Sequence, residues 1–254
     1  MAAGGSHRAS VSFIHAHRAI DAGNLGRIGS RGEPLASNPL ADLGAFDSAR
    51  FGQRRVKRGE AVYHTGDRFS AIYVVRSGFF KVGNVDAAGR EQVMGFFMRA
   101  ELFGLDGIGA GYYDGTAAAL EDSEIGILPF ALMEAMAQED AALQRQLHAL
   151  LAREIARGYG VMMLLGSMRA EERLAAFFLN LSRRFVCRGY SPSEFHLRMT
   201  RQEIGSYLGL KLETVSRLFS LFREKGLIEV RQKHVSIVDI AGLEGMLRDH
   251  GREG

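Results

Sequence analysis

The sequence predicts an α+β protein in which an N-terminal β-roll is followed by one long helix and a C-terminal winged helix-turn-helix. Three observations support this. Short β-rich runs separated by turn residues occupy 51–130, a proline-free helical run covers Ala141–Ser167, and 200–237 has the order helix, glycine turn, helix, two strands. We therefore divide the chain into a flexible tail (1–30), a β-roll (31–138), a pairing helix (139–167) and a winged-helix unit (168–254).

The composition is that of a globular protein without a membrane span. The 254 residues are 46% hydrophobic, and no apolar run reaches the roughly 18–20 residues that a bilayer requires. Residues 168–254 hold 15 Lys and Arg against 11 Asp and Glu, so this basic third suits a polyanionic partner. The single cysteine, Cys187, excludes an internal disulfide, and we expect a cytoplasmic protein.

The β-rich region consists of short runs bounded by turn residues. Residues 71–75 and 79–82 flank an Arg-Ser-Gly turn, and residues 82–85 and 92–97 flank a hairpin with the sequence DAAGRE. Many short strands with regular turns predict a β-barrel or roll of the jelly-roll type. Upstream of it, 38–46 is predicted as a short helix with Pro39 at its first position.

The long helical run carries a narrow apolar seam. Its members recur at spacings of three and four residues, which is the spacing of a face that pairs with another helix. We interpret the seam as the contact of a homodimer; the alternative is packing against the chain's own roll. The seam consists of Leu147, Leu151, Ile155, Gly158, Met162 and Leu165.

The C-terminal unit begins with a helix whose apolar face we expect to be buried, with Arg173, Arg183 and Arg184 on its charged surface. Thr200 and Glu203 then have the spacing of a capping box, in which two side chains satisfy two backbone donors at the start of a helix. Gly209 can adopt the positive φ of a tight corner between that helix and the next, which we place at 212–225.

The second helix of this pair exposes Glu213, Ser216 and Arg217 on one face. A major groove admits one α-helix, where an arginine can bind guanine and a carboxylate can accept from cytosine. The pattern therefore predicts base contacts with double-stranded DNA. The alternative is a structural or protein-binding module in which Glu213 and Arg217 form a surface ion pair. Candidate phosphate contacts are Arg169, Arg201, Lys211, Arg231 and Lys233.

At these residues the chain resembles the CRP/FNR family of bacterial transcription regulators, and the FNR branch in particular. The segments that carry the resemblance include AEERLAAFFLNLSRRF, RGYSPSEFHLRMTRQEIGSYLGL and ETVSRLFSLFREKGLI. The resemblance implies a cyclic-nucleotide-binding-like roll, a homodimer and a palindromic operator with half-sites of the TTGAT type. It places the family's E-x-x-S-R motif on Glu213, Ser216 and Arg217. It also implies a contact with RNA polymerase through Asp106, Ile108 and Gly109, for which the alternative is an ordinary glycine-rich hairpin.

The departures from the family pattern concern the effector. FNR itself holds a [4Fe–4S] cluster through four cysteines, whereas this chain has one cysteine, and Gly126 stands where a roll cysteine is expected. Relatives that bind cyclic AMP have an arginine for the phosphate, whereas Thr116 and Ala117 stand at that position here. We therefore expect neither a cluster nor cyclic AMP, and no cofactor. Lys211 replaces an expected threonine cap.

Other effectors stay open as alternatives. Cys187 lies beside arginines that can lower a thiol pKa, which would permit a redox switch. His15 and His17 could contribute to a metal or haem site, and a small ligand could occupy the roll; solvated histidines and an unreactive thiol are the simpler interpretations. The sequence shows no phosphate loop, nucleophile–base pair or metal-ligand set, so it predicts no metal site, no catalytic residue and no enzyme.

Overall fold

The computed structural model describes residues 52–86 and 88–248, and the predicted α+β architecture is confirmed there. Across these two ranges, no helix combines the length and the apolar character needed to cross a bilayer. The predicted tail (1–30), the predicted helix at 38–46 and both tail histidines lie outside the described residues.

The N-terminal half is a roll of two four-stranded antiparallel sheets. One sheet has the strand order β1-β8-β3-β6 and the other has the order β2-β7-β4-β5. Strands β4 and β5, on either side of the DAAGRE segment, pair antiparallel, with Val85 opposite Glu91. The strands are β1 (Gly52–Val56), β2 (Ala61–Tyr63), β3 (Ala71–Ser77), β4 (Phe79–Val85), β5 (Glu91–Met98), β6 (Leu102–Phe103), β7 (Thr116–Ala119) and β8 (Ser123–Pro129).

Aromatic side chains fill the interior of the roll. The Tyr63 and Tyr113 rings stack with their centroids 3.8 Å apart, and the Tyr73 ring stacks on that of Phe103 at 5.4 Å. Strand side chains alternate between the two faces of a sheet, so the inward positions supply the side chains of this core. The buried cluster also includes Val56, Phe80, Val82, Phe97, Ala117, Ala119 and Ile125.

Three helices follow the strands or interrupt them. They are α1 (Gly107–Ala110), α2 (Phe130–Glu139) and α3 (Ala141–Ser167). The Asp140 side chain caps α3 by accepting a hydrogen bond from the Ala142 amide at 2.7 Å. Leu143 and Leu150 of α3 are buried with Met133 of α2, so the first half of α3 packs on the roll.

The C-terminal half is a winged helix-turn-helix. Glu194–His196 pairs with Ser236–His234, and the Leu197 amide donates one hydrogen bond to the Lys233 carbonyl. The small sheet has the order β10-β11-β9. The elements are α4 (Ala170–Val186), β9 (Glu194–His196), α5 (Arg201–Leu208), α6 (Leu212–Glu224), β10 (Ile228–Arg231), β11 (His234–Ile237) and α7 (Ile240–Arg248).

One apolar core joins the two halves. Phe79 and Phe96 of the roll belong to the same buried cluster as Phe178 of α4 and Val215 of α6. The Phe96 and Tyr207 rings lie 5.4 Å apart, which brings β5 against α5. The roll therefore contacts the winged helix directly, in addition to the connection through α3.

Candidate nucleic-acid interface

The corner between α5 and α6 forms as the sequence predicts. The Glu203 amide donates to Thr200 Oγ1 at 3.1 Å and the Thr200 amide donates to Glu203 Oε2 at 2.7 Å, so the capping box is confirmed. Gly209 ends α5 with φ +63°, in the left-handed region that favours glycine. This corner directs α6 away from α5.

Helix α6 has one buried and one exposed face. Its apolar residues Val215, Leu218, Phe219 and Phe222 are buried in the winged-helix core. Because residues three and four apart share a helix face, this burial fixes which side of α6 faces outward.

The outward face of α6 holds the predicted base-contacting residues. Glu213 and Arg217 are exposed and Ser216 is half-buried. Within 52–86 and 88–248, the Glu213 carboxylate and the Arg217 guanidinium take part in no ion pair or hydrogen bond, so the alternative of a Glu213–Arg217 surface pair finds no support. Lys211 precedes the helix without a side-chain cap, as expected. The face has the donors and the acceptor needed to contact bases.

The five candidate phosphate contacts are all exposed: Arg169, Arg201, Lys211, Arg231 and Lys233. The Arg201 guanidinium lies 4.6 Å from the centroid of the Phe219 ring, so it sits beside α6. Arg231 and Lys233 occupy the turn between β10 and β11, where Gln232 has φ +58°. The wing therefore presents two cations at its tip.

The predicted dimer seam divides into two parts. Leu147 and Leu151 pack partly on the roll, and Leu165 lies against Gly209 at the corner between α5 and α6. Ile155 and Met162 are 58% and 68% exposed, and Gly158 faces open space. The middle of α3 is thus the part of the seam with a free apolar surface, to which Tyr159, 64% exposed, also belongs.

The residues assigned to RNA polymerase lie around α1, a short helix rather than the glycine-rich hairpin of the alternative interpretation. The Asp106 carboxylate accepts hydrogen bonds from the amides of Asp114 and Gly115 at 2.9 and 3.3 Å. Ile108 is half-buried against the roll, and Gly109 is exposed. Of the three positions, Gly109 is the most accessible.

Sequence reasoning missed an ion-pair cluster between the roll and the winged helix. Lys81 Nζ of β4 lies 2.6 Å from Glu91 Oε1 and 2.9 Å from Glu203 Oε1 of α5. Burial lowers the pKa of Lys81, but its bonds to the two carboxylates outweigh burial and raise it, so the ammonium stays charged. An isolated lysine in a β-run gives no sequence signal for such a role.

A second missed cluster centres on Glu101. Arg184 Nη2 and Arg188 Nη2 of the α4 end lie 2.5 and 2.6 Å from its carboxylate oxygens. Burial raises the pKa of Glu101, but the two guanidinium groups outweigh burial and hold it below the ordinary value. Arg184, predicted on the charged surface of this helix, therefore binds the roll.

Arg173, also predicted on the charged surface of this helix, is bonded to neighbouring helices. Its guanidinium donates to the carbonyl oxygens of Leu165, Met168 and Leu208, at 2.7, 2.9 and 3.0 Å. These carbonyls lie at the C-terminal ends of α3 and α5. The last carbonyl groups of a helix have no backbone partner within the helix. Arg173 therefore fastens the end of the long helix to the helix-turn-helix.

Residues 52–86 and 88–248 contain no group of three or more His, Cys, Asp or Glu side chains that could hold a metal ion. Cys187 caps the end of α4 and is exposed.

Comparison with known proteins matches both halves of the chain to families. Residues 172–246 match the Crp-like helix-turn-helix domain and residues 53–140 match the cyclic nucleotide-binding domain. The transcriptional regulatory protein Btr of Bordetella pertussis is 44% identical over 193 residues, which cover 76% of this chain and 80% of that protein. The chain belongs to the CRP/FNR family of transcription regulators.

Two further CRP/FNR proteins extend this comparison. The transcriptional activator protein FnrA of Stutzerimonas stutzeri is 41% identical over 210 residues, which cover 83% of this chain and 86% of that protein. The structure of FixK2 from Bradyrhizobium japonicum has a TM-score of 0.71 and 27% identity, covering 77% of this chain and 96% of that one. The resemblance to the family and its predicted fold are confirmed, and the protein is a DNA-binding regulator rather than an enzyme.

Proposed function

We propose that the protein acts as a homodimer that binds a palindromic operator, with one α6 in the major groove of each half-site. The observation that carries this proposal is the outward face of α6, where Glu213 and Arg217 are exposed without partners among the described residues. A charged group that forms no bond within the chain is available to a base edge. Half-sites of the TTGAT type are expected from the family resemblance.

The dimer contact is the open middle of α3. Ile155, Tyr159 and Met162 expose large apolar surface around Gly158, and a soluble monomer rarely leaves such surface contiguous. A second copy of the same helix fits this face best, because a two-fold axis places the same patch on both partners. The space at Gly158 and Gly160 lets two backbones approach closely.

Neither an iron–sulfur cluster nor cyclic AMP is part of this proposal. The single cysteine falls short of the four thiolates of such a cluster. A Cβ built at Gly126 of β8 would lie 2.7 Å from Val74 Cγ1, so a side chain there would require Val74 to shift. Stacked tyrosine rings fill the roll interior. Thr116 and Ala117 stand where the family's arginine pair is expected, and Ala117 is fully buried.

The phosphate contacts are assigned to Arg169, Arg201, Lys211, Arg231 and Lys233, whose exposure leaves them accessible to the backbone on either side of the groove. RNA polymerase is proposed to approach the loop around α1, with Gly109 as the most open position. DNA and RNA polymerase as partners support the proposal of a cytoplasmic protein.

A second candidate keeps the DNA-binding function and adds a thiol signal. Cys187 is exposed, and its neighbour Arg188 binds Glu101 at the junction of the roll and α4. Oxidation of the thiol would act next to this ion pair. Titrating a TTGAT palindrome with reduced and with oxidised protein separates the two candidates. A regulator without a thiol signal binds the duplex equally well in both states.

The experiment for the main proposal measures the molecular mass and the DNA affinity of the same preparation. We expect light scattering to give twice the chain mass of 27.9 kDa, and fluorescence anisotropy to give tighter binding to a TTGAT palindrome than to its scrambled version. An absorbance spectrum of the fresh protein accompanies both, and a Soret or cluster band would contradict the cofactor-free mechanism. A monomer that binds both duplexes equally would contradict the function.

A further inference from the structure

Helix α5 is attached to the outer edge of the roll. Strand β5 ends the sheet order β2-β7-β4-β5, so its outer backbone groups have no strand partner. Ser206 of α5 satisfies two of them, because the Val93 amide donates to Ser206 Oγ at 2.8 Å and Ser206 Oγ donates to the Glu91 carbonyl at 2.5 Å. The Gln92 side chain also donates to the Ser206 carbonyl at 2.6 Å.

The start of α5 is fixed by a second contact. Lys81 Nζ lies 2.9 Å from Glu203 Oε1, while Glu203 Oε2 accepts the Thr200 amide that begins the helix. The Lys81 and Glu203 side chains are only 18% and 13% exposed, so the pair is largely shielded from solvent. Ser206 and Glu203 lie one turn apart, so these two contacts restrict how α5 can tilt against the roll.

The orientation of α5 sets that of α6. The Leu210 amide donates to the Gly205 carbonyl at 2.8 Å across the corner, and Leu208 and Val215 are completely buried in the same core. The two helices therefore turn as one body. A body held at two points on the roll has a fixed direction relative to the α3 axis.

We propose that Lys81 and Ser206 are positioning residues that set the distance between the two α6 helices, and hence the half-site spacing the dimer accepts. This inference rests on the proposed function, because spacing has meaning only for a dimer on a palindrome. Two recognition helices must fall about one duplex turn apart, so a small rotation of each winged helix shifts the accepted spacing. Neither residue contacts DNA in this account.

The test uses full-length Lys81→Met and Ser206→Ala, with Lys57→Met as the matched control. Lys57 also forms an ion pair within the roll, with Asp122 at 2.7 Å, but this pair is exposed and involves no winged-helix residue. The probes are a single half-site duplex and palindromes whose centres are shortened or lengthened by one and two base pairs. Lys81→Arg tests whether a restored cation rescues the behaviour, and thermal melts establish that each variant is folded.

We expect wild type and Lys57→Met to prefer one spacing sharply. If Lys81→Met holds the required orientation in about a tenth of its molecules, its affinity for that spacing falls about tenfold, while half-site affinity is unchanged. The loss of affinity on palindromes of altered spacing should be smaller for Lys81→Met and Ser206→Ala than for wild type. Lys81→Arg should show the same loss as wild type.

Unchanged spacing preference in both variants, or an equal loss on half-sites and palindromes, would overturn the positioning role. These results leave the proposed function standing, because wild type alone tests it: no preference of wild type for any palindrome over a half-site would mean that the function has failed.

Discussion

The interior of the roll and the outward face of α6 differ in whether their polar groups are hydrogen-bonded within the protein. In the roll, Tyr113 Oη donates to the Ala71 carbonyl at 2.7 Å, and aromatic rings occupy the remaining space. On α6, Glu213 and Arg217 stand in solvent with no partner in the part of the chain that the structure describes. The roll is thus closed on itself, whereas α6 keeps its charged groups available.

Helix α3 also has one part that is buried and one part that is exposed. Its first half, with Leu143 and Leu150, is buried on the roll, and its middle exposes Ile155 and Met162. The two surfaces that we assign to DNA and to a second copy of the chain therefore lie on α6 and on the middle of α3. The following substitutions test this assignment.

The largest effect is expected from a charge in the open part of α3. Ile155→Glu places two carboxylates at the proposed two-fold contact, so the dimer should dissociate. Loss of the second half-site contact should weaken operator binding by about 100- to 10,000-fold. Light scattering and anisotropy measure the two changes.

Leu132→Glu provides the control for that variant, since Leu132 of α2 is also an exposed apolar residue, at 44%. It should stay dimeric. A dimeric Ile155→Glu protein would show that the copies meet elsewhere.

The junction between the two regions should be the next most sensitive. Glu101→Gln leaves Arg184 and Arg188 without their carboxylate, and breaking a buried pair of this kind costs about 3 kcal/mol in the free energy of unfolding. Asp122→Asn removes only an exposed pair and should change little. Denaturant titrations compare the three proteins, and equal stability would mean that the junction contributes nothing.

The same carboxylate should make stability depend on pH. Its folded pKa lies below the ordinary value of 4.5, so its contribution is fully present above pH 4.5 and is lost as the pH falls through the folded pKa. Wild type should therefore lose stability over that acid range more steeply than Glu101→Gln. Parallel curves for the two proteins would exclude Glu101 as the source.

The smallest effects are expected inside the roll. Tyr113→Phe removes a buried hydrogen bond and should cost about 1 kcal/mol. Tyr63→Phe should cost nothing, because the Tyr63 hydroxyl is buried without a hydrogen-bond partner among the described residues. Operator affinity should be unchanged in both variants. A change in affinity would indicate that the roll interior takes part in regulation.

The sequence predicted most of the helix-turn-helix because its signals are local. Thr200 with Glu203, and Gly209 after α5, each fix a backbone geometry within a few residues. The helical spacing of Glu213, Ser216 and Arg217 likewise predicted that they share one face of α6, and Glu213 and Arg217 are exposed there.

The sequence did not predict the contacts between the two halves. Arg184 binds Glu101 across 83 positions and Lys81 binds Glu203 across more than 120, so no spacing rule relates them. An arginine on a helix surface has the same pattern whether it is solvated or bonded to a distant carboxylate. The bonds of Arg173 were missed for the same reason, since its three carbonyl partners are set by where helices end in space.

The most direct measurement titrates wild type and Arg217→Ala against every single-base variant of one half-site, in an otherwise fixed palindrome. We expect Arg217→Ala to lose about 1–3 kcal/mol on the preferred sequence and to stop discriminating at one base position, while the other positions keep their preferences. An equal loss on all sequences, including scrambled duplexes, would show that the outward face of α6 does not contact bases.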